Sequence, residues 1–216
     1  MRRKLPVIAL TETHLDNSIS DSEILPNNYL VLFRRDRKSN GRLGGGVLIA
    51  VSDHNKPIPP ESLHSESEFI VIDILFSNNR KITFGVFYRP PNSETKPLEV
   101  LQTALQEIGL RNDLILVGDF NLSAFDWQNT CTLNNSANYT LLLDIVYDNF
   151  LTPLVNSPTR EENILDLVLV SAPDIVDNLT VEEPFSDHNA ITFSIPCWPY
   201  ERRKTNKVVY SYSKAD

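Results

Sequence analysis

Cysteine is scarce in this chain: Cys131 and Cys197 are the only two in 216 residues, and neither stands beside a histidine. A disulfide framework is therefore not what would hold the fold together, and a cysteine–histidine nucleophile has no sequence support. No apolar stretch is long enough to cross a bilayer, and no secretory signal pattern opens the chain, so the expected setting is a reducing one, nucleus or cytoplasm, with no membrane. Internal repeats and low-complexity tracts are lacking. A P-loop is not expected, because no Lys-Ser or Lys-Thr follows Gly44-Gly45-Gly46 and the next residues, Val47–Val51, read as a strand. The triglycine instead suggests backbone freedom at the entry to that strand. An excess of positive charge is missing too. With 20 Lys and Arg against 28 Asp and Glu the net charge is −8, which argues against a broad basic face; local candidates for phosphate contact are Arg34-Arg35-Asp36-Arg37-Lys38 and Arg202-Arg203-Lys204.

What is present is enough apolar content, 41% of residues, to bury a sizeable core in one domain. Several apolar runs end in polar residues. Leu114–Val117 leads into Gly118-Asp119-Phe120-Asn121, and Ser186-Asp187-His188 opens into Ala190–Ile195. Glu12 follows Val7–Leu10, and Tyr88 closes Ile82–Phe87. Strand ends are where a rigid sheet holds polar side chains in fixed geometry, so carboxylate, amide, phenol and imidazole at such ends point to a site that hydrolyses a phosphate ester. Taken singly, Asp119–Asn121 and Ser186–His188 read equally well as turns. Asp166 lies within the apolar run Asn163–Val170, so it either faces outward on a half-exposed strand or is buried with a partner, for which His188 is the nominee. His14, His54 and His64 show no metal-ligand spacing, although His14 lies two residues past Glu12. Asn-x-Ser/Thr sequons at Asn121, Asn134, Asn138 and Asn178 read as chance occurrences.

Two segments have helical spacing: 97–108, with proline in the first turn and Gly109 as the stop, and 139–148. Strands outnumber helices, which suits packed sheets with helices outside.

The motifs Leu10-Thr11-Glu12-Thr13-His14-Leu15, Arg42-Leu43-Gly44-Gly45-Gly46-Val47, Val86-Phe87-Tyr88-Arg89-Pro90-Pro91, Gly118-Asp119-Phe120-Asn121, Pro158-Thr159-Arg160, Asn163–Val168 and Ser186-Asp187-His188 occur in order along nearly the whole chain. Together they resemble the endonuclease/exonuclease/phosphatase superfamily, and within it the endonuclease domain that precedes the reverse transcriptase of non-LTR retrotransposons. The resemblance implies an α+β fold, a four-layer α/β/β/α sandwich of two packed mixed sheets of the deoxyribonuclease I type. It implies Glu12 and Asp187 as carboxylates on the side of a divalent cation, Mg2+ or Mn2+. Asp119 would handle the proton of the attacking water or of the leaving oxygen. Asn121 and Tyr88 would donate hydrogen bonds to the phosphate, His188 would stand on the phosphate side oriented by Asp166, and Thr159 and Arg89 would touch the substrate. DNA is the implied substrate, nicked so that its end can prime reverse transcription.

The family's usual first strand and helix do not precede the strand ending in Glu12. A truncated retrotransposon fragment is therefore expected, with the catalytic domain over residues 1–200 and a linker over 201–216 towards a reverse transcriptase. Two alternatives stay open: a same-fold phosphomonoesterase acting on an inositol phosphate, or an inactive remnant.

Overall fold

The computed structural model describes residues 5–25, 29–37, 44–52, 55–58, 67–76, 80–109, 113–127, 129, 131–184 and 186–196. Arg42, Leu43, His54, His64, Cys197, the basic cluster 202–204 and the linker 201–216 lie outside them. In chain order the strands are β1 (Val7–Thr11), β2 (Tyr29–Arg35), β3 (Val47–Ser52), β4 (Lys56–Ile58), β5 (Glu68–Leu75), β6 (Lys81–Tyr88), β7 (Asp113–Asp119), β8 (Phe125–Asp126), β9 (Cys131–Thr132), β10 (Thr152–Pro153), β11 (Asp166–Val170), β12 (Asp177–Pro184) and β13 (Asn189–Ser194). The helices are α1 (Asp21–Ile24), α2 (Lys96–Ile108) and α3 (Ala137–Asp148), with a 3-10 turn at Pro173–Ile175.

A six-stranded sheet, in the order β10-β11-β7-β6-β5-β4, forms the centre. Its single parallel pair, β6 with β7, is bridged by α2, the kind of crossover that parallel neighbours require. Period-two alternation splits its side chains between two cores. Phe69, Val71, Phe87, Leu114, Leu116, Leu167 and Leu169 pack with Leu98, Leu101 and Leu105 of α2 and Leu142, Ile145 and Val146 of α3. On the other face Ile72, Ile74, Ile82, Phe84, Val86, Tyr88, Ile115, Val168 and Val170 meet Val47, Ile49 and Val51 of β3, joined by Val7 and Ala9 of β1 and by Ile191 and Phe193 of β13. The second sheet, β1-β3-β2, is wholly antiparallel, so only the large sheet is mixed. β12 and β13 form a separate hairpin beside it.

The architecture is the expected α+β sandwich of two packed sheets. Among the described residues its helical layer is α2 with α3, and the only other α-helix is the four-residue α1. Both outer strands of the large sheet carry a proline, Pro57 in β4 and Pro153 in β10, which removes a ladder donor and blunts the edge. Helix α2 ends where its sequence predicts: Gly109 takes φ 70° and its N–H closes on Leu105 O at 3.0 Å. Among the described residues no helix is long and apolar enough to cross a membrane.

Candidate active site

Strand register assembles the site. Across the large sheet Glu68 lies opposite Tyr88, Tyr88 opposite Asp119, and Asp119 opposite Asp166. Residues directly opposite one another on neighbouring strands share a face, so four polar side chains stand in a row at one end of β5, β6, β7 and β11. At Gly118, next to Asp119, the backbone has φ 142° and passes so close to the Phe87 carbonyl that an added Cβ would overlap its oxygen. Only glycine lets the two strand ends converge there.

Asp119 is buried, 1% exposed. Its carboxylate accepts the Asn121 backbone N–H at 2.9 Å and the Asn121 side-chain amide at 2.7 Å, and Asn121 adopts φ 51° to make this turn. Burial first, and the charge of Asp166 second, push the Asp119 carboxyl up to about 7; Glu12 adds to the rise, while His188 and the Asn121 N–H oppose it. A carboxyl poised near neutrality exchanges a proton readily at physiological pH.

His188 Nδ1 lies 2.7 Å from Asp166 Oδ2, both side chains being less than one-fifth exposed. The imidazole is pushed up from its ordinary pKa, chiefly by that hydrogen bond and against the effect of burial. The nominated pairing is therefore present, and it commits Nδ1 to Asp166 and leaves Nε2 as the imidazole's outward-acting atom. Asp166 opens β11 rather than lying inside a strand, which is how a carboxylate enters an otherwise apolar run.

Glu12 arrives from the other sheet, one residue past β1 and at φ 50°. Tyr88 donates its phenol hydrogen to Glu12 Oε1, and Tyr88 is held far above its usual range, by burial and then by that bond. Glu12 Oε2 stands 4.0 Å from His14 Nε2, so the histidine two residues on does lie beside the carboxylate.

Other expected site residues are placed differently. Thr159 is fully buried, and its Oγ1 accepts the backbone N–H groups of Leu165 and Asp166 at 3.0 Å each; it fastens the start of β11. Arg89 is 2% exposed and its guanidinium donates to the carbonyls of Ser93, Asn121 and Pro90 at 2.5, 3.4 and 3.5 Å, tying two loops together inside the protein. The Asn121 amide is occupied by Asp119 and by Arg89 O at 2.9 Å, so in this arrangement it orients Asp119. Asp187 is exposed and pairs with Arg160 Nη2 at 2.8 Å. Within the basic run that begins in the last residues of β2, Arg34 pairs with Asp21 and Asp36, and Arg37 with Glu68.

Asp119, Asp166 and His188 bring one ligand atom each within 4.8 Å of one another. With Glu12 facing them, the donor set is rich in carboxylate oxygen. After burial, such crowding of negative charge is the next cause that raises Asp119, and a hard divalent cation would relieve it, so the residues fit a cation of that class.

Fold and site define a member of the endonuclease/exonuclease/phosphatase superfamily. The chain is similar in structure to the endonuclease domain of TRAS1, a telomere-specific non-LTR retrotransposon, at 23% identity over 76% of this chain and 78% of that one, TM-score 0.62. It is similar also to an endonuclease/exonuclease/phosphatase family protein from Leptotrichia buccalis C-1013-b (19% identity, 88% and 86% covered, TM-score 0.58) and to the AP endonuclease LMAP from Leishmania major (13%, 86% and 77%, 0.61). No curated protein matches the sequence. More particularly, the sequence model of the endonuclease-reverse transcriptase family matches residues 82–192, just over half of the 216 residues, and the chain belongs to that family.

Proposed function

We propose that this protein is a divalent-metal-dependent endonuclease that nicks DNA. The observation that carries the reading is the convergence of Glu12–Tyr88, Asp119–Asn121 and Asp166–His188 from strand ends of both sheets and from the hairpin turn before β13. Phosphodiester hydrolysis brings an anionic nucleophile to an anionic phosphorus, so charge must be neutralised on the non-bridging and leaving oxygens. A divalent cation, held by Glu12 and the carboxylates of the Asp119–Asp166 cluster, would supply that neutralisation. Asp119, fixed by Asn121, takes the proton as water adds to phosphorus. His188, its Nδ1 fixed by Asp166, offers Nε2 to a phosphate oxygen or to the departing sugar oxygen as the P–O bond breaks. Tyr88 holds Glu12 in place and excludes water beneath it.

Family membership favours a nucleic-acid phosphodiester over a phosphomonoester, and the retrotransposon setting favours nicking that exposes a primer end on target DNA. The test is conversion of supercoiled plasmid to open circles by the purified chain with Mg2+ or EDTA. Asp119→Ala and His188→Ala should each slow nicking by about a hundredfold to a thousandfold, the usual effect of removing one such group. A folded, monodisperse protein that leaves plasmid intact in Mg2+ and Mn2+, yet cleaves an inositol phosphate or other phosphomonoester, would replace this reading.

A further inference from the structure

The row of polar residues across the large sheet has a fourth member, Glu68, that the proposed chemistry does not use. Glu68 opens β5 directly opposite Tyr88, and its side chain is only 11% exposed. Arg37, two residues past β2, grips it with both arms of its fork: Nε to Oε1 at 3.1 Å and Nη2 to Oε2 at 2.7 Å. Planar bidentate pairing of this kind fixes orientation as well as charge. The same guanidinium lies over the Tyr88 ring, 5.7 Å from its centroid, within cation–π range. Glu68 Oε1 also accepts the N–H of Gly46.

Gly45 and Gly46, at φ 82° and 92°, leave just enough room for this arrangement. A Cβ on Gly45 would overlap the Glu68 carboxylate and the Arg37 guanidinium, and one on Gly46 would press into Thr13 Oγ1. Their carbonyls in turn accept the N–H groups of His14, at 2.9 Å, and Thr13, at 3.3 Å, the two residues after Glu12. Glu68 thus bears on Glu12 by two routes, through Arg37 and Tyr88 to its carboxylate, and through the glycine turn to its backbone.

We propose that the Arg37–Glu68 pair is a positioning device that holds Tyr88 and the Glu12 turn in register, and so sets how tightly the site binds its divalent cation. The inference rests on the endonuclease reading for its catalytic consequence but not for its structural one. Arg37 and Glu68 are positioning residues, since neither reaches the reacting atoms except through Tyr88 and Glu12.

The experiment uses the full chain with Arg37→Lys, which keeps the charge and loses the fork, and Glu68→Gln, which keeps the shape and an acceptor for Gly46. Two readouts are taken on samples that retain a cooperative thermal transition: half-saturation by Tb3+ in the absence of DNA, followed by luminescence with Glu12→Gln as the reference for a lost site, and Mg2+-dependent plasmid nicking. Loss of a supporting partner of a metal ligand typically weakens affinity or activity about tenfold to a hundredfold. Both variants are expected to raise the half-saturating Tb3+ and Mg2+ concentrations by that factor, and Arg37→Lys should have little added effect in a Tyr88→Phe background. Unchanged half-saturation in folded Glu68→Gln protein would overturn the proposal, as would effects of Arg37→Lys and Tyr88→Phe that simply multiply. If the unmodified chain binds Tb3+ with these shifts but never nicks DNA, the endonuclease reading fails and the positioning device stands.

Discussion

A single oxygen atom, Thr159 Oγ1, satisfies two buried backbone N–H groups at the point where β11 begins. Leaving a buried donor without a partner costs about 1–3 kcal/mol, so Thr159→Val, which keeps the shape, should destabilise by a few kcal/mol and slow nicking through a loosened Asp166. Thr159→Ser keeps the oxygen and should behave like the parent, and chemical denaturation of the pair checks this. Asp119 makes a second prediction, in pH. Its folded carboxyl, at about 7, holds a proton that the unfolded chain releases near pH 4. His188, also raised, again binds its proton more tightly when folded. Both therefore withdraw stability as pH rises, Asp119 from about 4 through 7 and His188 only above the ordinary imidazole range, since stability falls wherever the native state binds more protons. For the metal-free protein, Asp119→Asn should remove much of this slope and gain a few kcal/mol at pH 8 relative to the parent, as urea titrations at several pH values would reveal; divalent cation should shrink the same difference.

At the scale of elements, the strand ends were legible in sequence because apolar runs stop abruptly at Glu12, Tyr88 and Asp119, and because a carboxylate between Leu165 and Leu167 needed either an outward face or a partner, for which His188 was the nominee. The second helix was expected over 139–148 and begins slightly earlier, at Ala137. What escaped was β5: Glu68 fronts a nearly unbroken apolar run, Phe69–Leu75, with no charge pattern to separate a buried central strand from any other hydrophobic stretch. Its pairing with β6, and with it the partner of Arg37, is a fact of register that a linear pattern does not carry. A threonine or arginine next to a site motif looks the same in sequence whether its side chain turns out or in, and Thr159 and Arg89 are both buried. Where β6 and β7 converge, Gly118→Ala should fail outright, yielding insoluble protein, because rigid backbone and not a movable side chain would meet the new methyl group. Gly109→Ala has open space around it and strain only from its φ of 70°, so it should fold and lose no more than about 1–2 kcal/mol in thermal melts.

For the whole molecule, the site is divided among independently paired pieces. Glu12 belongs to the small sheet, Tyr88, Asp119 and Asp166 to the large one, and His188 to the hairpin turn. What joins the pieces is the interior between them, where Ile49 of β3 packs with Ile72 and Val86. Ile49→Ala should cost about 2–5 kcal/mol, as large-to-small core changes do, and should depress nicking more than an equally destabilising Leu101→Ala beneath α2, a comparison that matched denaturation and activity curves would decide. Two plates that each carry half of a mechanism act as a shear gauge: a sideways slip of about 1–2 Å between them would leave every strand intact and part Glu12 from Tyr88. Catalytic competence would then report the alignment of the sandwich, and a ligand gripping both plates at once, as a cation or a length of DNA would, becomes part of what keeps them aligned.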